Sequence, residues 1–330
     1  MTTVITGTGA VVEEPRPAGE DGPGAAGWFD PAAHLGRRGW KYFGPPTRYL
    51  LAAGNTALGR RHDEPPLTGG PAERLGVVTG TQYAIADVHR RMDDTLTTTG
   101  VGGIGPAEVP AFSMNTPGSQ LAISTGARAF SVTLTNPVTG GLEAVQFAVS
   151  ALRAGRADRV VVAATDRAPT GEDGREEREE YDAAAALVLR GHPAPGSSRP
   201  AGALTGITGG VSRFVPRRAD GARDPAALAA AGRRIAALVA GAGDVPLVVS
   251  GPAAAAGFGH AVLEAVTASL REAGGSVRDP AGAVREARHC AVSGLLELIA
   301  LARTEATGVV VSVSGSGHLT AVALGDPTRS

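Results

Sequence analysis

Short runs of Val, Ile and Ala alternate along this chain with longer stretches whose apolar residues recur three or four positions apart, a rhythm of strands alternating with helices. The first run, Val4-Ile5-Thr6-Gly7-Thr8-Gly9-Ala10-Val11-Val12, is β-branched and stops before Pro15 and a Pro- and Gly-rich connection reaching about residue 35. It reads as one strand with no helix directly behind it. A dinucleotide fingerprint needs a third glycine and a helix opening straight after the strand, so Gly7 and Gly9 do not make one. Residues 49–58 have helical spacing, 75–80 form a short buried strand, and 82–98 are polar with helical tendency. Residues 99–119 are punctuated by Gly and Pro over a length unusual for a plain connection, which makes them a candidate for function. A strand at 128–134, a helix at 139–154 and strands at 159–164 and 184–189 follow, with the charged block 172–182 as a solvated insertion. The second half repeats the rhythm: strands at 201–211, 246–250, 308–314 and 318–324, helices at 225–240, 258–272 and 291–303. Two passages mirror each other. Gly140-Gly141-Leu142-Glu143 opens a helix that leads to Val160-Val161-Val162, and Ser293-Gly294-Leu295-Leu296-Glu297 leads to Val309-Val310-Val311. This predicts two copies of one α/β unit.

With 330 residues, an apolar share of 43% and 47 glycines beside 23 prolines, the chain is long and apolar enough for a large folded core. Its formal charge of −1, from 31 basic and 32 acidic residues, gives no positive field for nucleic acid. The single cysteine, Cys290, excludes an internal disulfide and any multi-thiolate metal site built from this chain alone. His34, His62, His89, His192 and His260 have no metal-ligand spacing, so neither metal nor cofactor is expected. The first twelve residues lack a cationic lead into an apolar run, and Arg233 and Arg234 interrupt the Ala-rich stretch near 226–241. The expectation is a cytoplasmic protein that does not enter a membrane.

Several strings, taken in order, resemble β-ketoacyl synthases of the thiolase fold. They are the opening run, then Arg74-Leu75-Gly76-Val77-Val78-Thr79-Gly80-Thr81, Phe112-Ser113-Met114-Asn115-Thr116, Gln120-Leu121-Ala122-Ile123, 154–166, and the closing Ser314-Gly315-Ser316-Gly317-His318-Leu319-Thr320-Ala321-Val322. The resemblance covers about 3–325. It implies a layered α/β/α/β/α sandwich of two similar βαβαβαββ halves, residues 1–198 and 199–330. A ketosynthase places a cysteine where a buried strand meets its helix, so that the helix dipole favours thiolate. Here that junction is Thr135-Asn136-Pro137-Val138-Thr139-Gly140-Gly141-Leu142, and Val138 stands at the cysteine position. The loop that carries the family's first catalytic histidine runs Val249-Ser250-Gly251-Pro252-Ala253-Ala254 and has none. His289 matches the second.

Without nucleophile and first histidine, the resemblance points to chain length factors, the ketosynthase-like subunits of type II polyketide synthases. Gly140-Gly141-Leu142-Glu143-Ala144 and Met114-Asn115-Thr116 fit strings typical of them, while Val138 departs from the glutamine common in aromatic systems. The trimmed 167–182 and 190–200 regions are closer to partners in reducing, polyene-making systems. The implied role is a non-acylated subunit that pairs with an active ketosynthase, meets the acyl carrier protein bearing the growing chain, and shapes the product tunnel. The residues implied at tunnel and partner interface are Phe112, Met114, Asn115, Thr116, Thr133, Leu134, Asn136, Val138, Thr139 and Gly140, with Phe112 and Met114 bulky enough to stop a chain. The family's edge strand, here Phe130-Ser131-Val132-Thr133-Leu134, is implied to pair with the partner's, since an unpaired edge invites aggregation. The alternative is a stand-alone acyltransferase or decarboxylase acting on thioesters without cysteine. It would use Thr139 as acyl acceptor, with no general base evident beside it, or His289 as donor to a thioester carbonyl. A third reading is a scaffold without influence on length. Cys290 reads as a small core residue and His318 as a structural loop histidine.

Overall fold

The computed structural model describes residues 2–14, 27–106, 108–168, 180–192, 202–305 and 307–326. The first half runs β1 (Thr2–Val12), α1 (Pro31–Leu35), α2 (Pro45–Leu58), α3 (Gly69–Glu73), β2 (Leu75–Gly80), α4 (Ala86–Thr98), α5 (Thr116–Thr125), β3 (Phe130–Leu134), α6 (Gly140–Arg153), β4 (Arg159–Asp166) and β5 (Ala183–His192). The second runs β6 (Gly206–Phe214), α7 (Pro225–Ala237), β7 (Asp244–Gly251), α8 (Ala256–Glu272), β8 (Ser276–Arg278), β9 (Val284–Glu286), α9 (Ser293–Thr304), β10 (Gly308–Val313) and β11 (His318–Gly325). Most of the charged block 172–182 and of the 190–200 connection, and with them the boundary at 198, lie outside the described residues.

Strand order is β3-β2-β4-β5-β1 in the first half and β6-β11-β10-β7-β8 in the second, with β9 also on β7. β2, β3 and β4 are parallel and β5 turns back, just as β10 and β7 are parallel and β11 turns back. The two sheets meet where Thr3 and Val4 of β1 pair with Ile207 and Gly206 of β6.

Alternation along each strand assigns the layers. In β4, Val160, Val162 and Ala164 face a central core with α6 and α9, while Val161 and Ala163 face an outer core with Leu50, Ala53 and Leu121 of α2 and α5. In β10, Val310 faces the centre, while Val309, Val311 and Val313 meet Ile235 of α7 and Val262 and Val266 of α8. Strands buried on both faces explain why their sequences read as continuous apolar runs rather than polar/apolar alternations. The result is the α/β/α/β/α sandwich. Residues 253–272 are long and apolar enough to cross a membrane, yet Val262, Leu263, Val266 and Leu270 are packed into the outer core.

Three expectations need adjustment. The strand placed at 201–211 begins at Gly206 and continues to Phe214. The irregular segment 99–119 ends in α5, a ten-residue helix that starts with Thr116-Pro117-Gly118; proline suits a first turn, but Pro-Gly by itself reads as a loop. Finally, β8 and β9 are three-residue strands too short to leave a periodic trace.

Candidate functional site

The site is built around the first turn of α6. β3 ends at Leu134, and the chain reverses through Asn136 and Pro137 into the helix. The reversal is made at Val138, whose φ is 64°, in the left-handed region that a β-branched residue rarely adopts. Its side chain is 6% exposed. The sharp elbow that would present a reactive side chain at a helix N-terminus is therefore present, and it carries an isopropyl group. An aliphatic side chain can neither attack nor hold an acyl group.

The turn is closely packed around Gly80 and Gly141. A Cβ at Gly80 would collide with the backbone of Gly140 and Gly141, and one at Gly141 with the carbonyl of Ala291. Thr139 is fully buried, and its hydroxyl donates to Oε1 of Glu143 at 2.9 Å. Glu143 Oε2 accepts from Nδ2 of Asn136 at 2.6 Å. Glu143 thus lies one turn along the same helix, a base-type partner for Thr139 that corrects the expectation of none. The burial of Thr139 withholds it from an acyl donor all the same.

The second inter-sheet helix, α9, begins near the same place. Ahead of it, Cys290 also has a positive φ, 47°, and is buried. Ala291 donates its N–H to Oδ2 of Asp166 at 3.0 Å, and Oδ1 of Asp166 accepts from Thr81 Oγ1, Gln82 N and Tyr83 N at 2.9, 2.7 and 2.6 Å. This fully buried carboxylate, at the end of β4, joins the loop after β2 to the turn before α9. Burial pushes its pKa up to about 6 against the pull of its four donors.

His289 is half-buried. Its Nδ1 lies 3.2 Å from the carbonyl of Tyr181, an acceptor only, so Nδ1 carries the proton and Nε2 is left as an acceptor. Burial lowers the imidazole pKa below its ordinary value. A neutral ring with its N–H committed to Tyr181 has no proton to offer a thioester carbonyl, which removes the donor role expected for it.

The remaining predicted residues fall into two groups. Leu134 and Asn136, with Glu143, line an open groove of about 600 Å³ whose far wall is Phe214, His318 and Leu319. The His318 ring lies tilted against that of Phe214, 4.9 Å between centroids, and its Nδ1 approaches Ser316 Oγ at 3.1 Å, a structural arrangement. On the other side of the edge strand, Thr133 Oγ1 is 2.9 Å from Thr79 Oγ1, and both crowd Gly118 at the start of α5. The segment leading into α5 is tied by Thr116 Oγ1 to the Pro110 carbonyl at 2.8 Å and by Ser113 Oγ to Asn115 Oδ1 at 2.6 Å. Met114 is half-buried. Phe112 is 49% exposed, its ring 4.4 Å from that of His89 on α4. Val109, Phe112 and Ile123 all remain exposed on this side. Strand β3 pairs with β2 and, among the described residues, has no neighbour on its outer edge.

Residues 25–178 match the family described as the β-ketoacyl synthase N-terminal domain. The structure of the ishigamide ketosynthase/chain length factor is similar to this chain with a TM-score of 0.71 and 19% identity, covering 98% of this chain and 99% of that one. A type II polyketide synthase acyl-carrier protein in complex with its ketosynthase bound to the hexaketide, AntDE:AntF, gives 0.72 and 18% over 98% and 99%. A β-ketoacyl synthase from Burkholderia phymatum gives 0.68 and 13% over 98% and 99%. No curated protein sequence matches. At such identities the structural likeness speaks for the fold. The described residues therefore have the thiolase-like ketosynthase fold, and residues 25–178 are similar to the β-ketoacyl synthase N-terminal domain.

Proposed function

We propose that this protein is a non-acylated, chain-length-factor-like subunit that pairs with an active ketosynthase in a type II polyketide synthase and shapes the tunnel for the growing chain. One observation carries the reading: the elbow before α6 keeps its left-handed backbone but presents Val138. His289 without a free proton and Thr139 without exposure add to it. Support for a partner comes from the unpaired edge of β3 beside exposed Phe112, Val109 and Ile123. An edge with half-buried alternating Phe130, Val132 and Leu134 is an aggregation hazard unless covered. A ketosynthase chain pairing there antiparallel, burying on the order of 2,000 Å² or more, would cover it. Phe112 and Met114 then face the partner's tunnel, and each carbon of an extended chain stopped there adds little more than about 1 Å of length. The acyl carrier protein delivers that chain, in the cytoplasm, and a reducing pathway is the setting we favour.

The test is co-expression with a ketosynthase that retains its cysteine and both histidines and is encoded beside this chain. A one-to-one complex is expected, lost in Ser131→Pro, which removes an outward-facing backbone donor from β3. Mass spectrometry after incubation with acylated carrier protein should find acyl groups on the ketosynthase alone. A well-behaved monomer, or an adduct on this polypeptide, would overturn the assignment.

A further inference from the structure

Among the described residues a second strand edge is free, and the pairing proposed above does not use it. Among the described residues, β6 joins β1 only at Gly206 and Ile207, and from Thr208 to Phe214 it pairs with β11 alone. Val215 donates its N–H to the Gly317 carbonyl, which sets the phase of this antiparallel ladder. Gly210, Ser212 and Phe214 therefore turn their N–H and C=O groups away from β11. The Ser212 carbonyl accepts from Nη1 of Arg213, and the Thr208 carbonyl from Nη2 of Arg153 at 3.5 Å. Gly210, Ser212, Arg213 and Phe214 are exposed.

This edge forms the floor of a slot between two helices. On the α6 side lie Gln146, Ser150 and Arg153, and on the α7 side Arg234, Ala237 and Leu238 enclose a cavity of about 360 Å³ with Arg213. Gly209 and Gly210 let these walls approach, since a Cβ on either would press on Leu238 or Gln146. Arg153, Arg213 and Arg234 meet no carboxylate among the described residues. Outward backbone groups with three uncompensated guanidiniums above them recognise one kind of occupant: an extended polypeptide that adds as a strand and carries acidic side chains.

We infer that the β6 edge is a strand-addition site for an extended acidic segment of a partner protein. A fluorescein-labelled peptide of alternating Glu and Val, eight residues long, serves as probe, with its Lys/Val counterpart as control. On the isolated chain the acidic peptide should bind saturably, weaken at least tenfold in high salt, and slow amide exchange across residues 208–213. Arg153→Glu with Arg234→Glu, or Ser212→Pro, should abolish binding without changing the far-ultraviolet circular dichroism. Proline is tolerated at an edge but removes an outward donor. Equal binding of both peptides, exchange unchanged at 208–213, or no binding at all would overturn the inference and leave the arginines as a guard against aggregation. The exchange readout at 208–213 and the variants on and beside β6 separate this edge from that of β3, so the outcome is independent of the pairing there.

Discussion

The elbow at Val138 makes a prediction that reverses the usual ranking of small residues. At its φ of 64° a residue with a Cβ is penalised by roughly 1–2 kcal/mol, and glycine is not. At ordinary backbone angles replacing alanine by glycine costs about 0.5–1 kcal/mol through the unfolded chain. Opposing the two terms, Val138→Gly should be more stable than Val138→Ala by about 0.5–1 kcal/mol. Val138→Ala itself removes two methyl groups from a side chain that is 6% exposed, a loss of about 1.5 kcal/mol. The expected order is therefore valine, then glycine, then alanine. Urea titrations followed by circular dichroism give it directly, with Ala163→Gly in β4, where no positive φ occurs, as a control that should fall in the ordinary direction. If the alanine variant unfolds at higher urea than the glycine variant, the backbone at 138 is not held left-handed and the inherited elbow is wrong.

Three further outcomes follow from the site. The folded pKa of Asp166, about 6, lies above its unfolded value near 3.8, so its linked stability is complete below that value and is lost as pH rises through 6; Asp166→Asn should flatten the stability profile over pH 4–6 while weakening the protein at pH 7 by roughly 1–3 kcal/mol, read from denaturation midpoints across pH. Arg223 donates to the carbonyls of Val215, Gly315 and Ser316 at 2.9, 2.6 and 3.1 Å and stacks 4.6 Å above Phe258, so Arg223→Ala should accelerate amide exchange at 314–318 by at least tenfold while exchange in β10 stays slow. In the complex proposed here, Phe112→Ala with Met114→Ala should shift the product distribution toward longer chains without reducing the partner's acylation; an unchanged distribution in liquid chromatography with mass detection would leave a scaffold without influence on length.

Much of this architecture is legible in the sequence because the strands are buried on both faces. Runs such as Val160-Val161-Val162-Ala163-Ala164 have one meaning when a helix of helical spacing precedes them, and the mirrored openings of α6 and α9 announce the repeat. α5 escaped because its first turn is written in turn residues, Pro117 and Gly118. The site was legible as a vacancy, one substitution within a recognisable string. Its supports were not. Glu143 carries a signal in its i,i+4 spacing from Thr139, but the sequence does not say that the intervening turn is solvent-free. Asp166 gathers donors from positions 81–83 and 291, separations that no local pattern encodes. The left-handed angles at Val138 and Cys290 are likewise silent, because neither residue type favours them.

The seam where Thr3 and Val4 meet Gly206 and Ile207 has a consequence for how the molecule comes apart. Two residue pairs, with the two backbone bonds of Ile5 to Thr205 and Leu204 beside them, are a thin hem between broad pleated surfaces, so the grip of one sheet on the other resides in the greasy filling supplied by Leu142, Val145, Leu295 and Leu298. Shaving a methyl from that filling is felt on both sides at once, whereas unpicking the hem is nearly silent. Melting should then be a single event, with neither surface able to outlast the other.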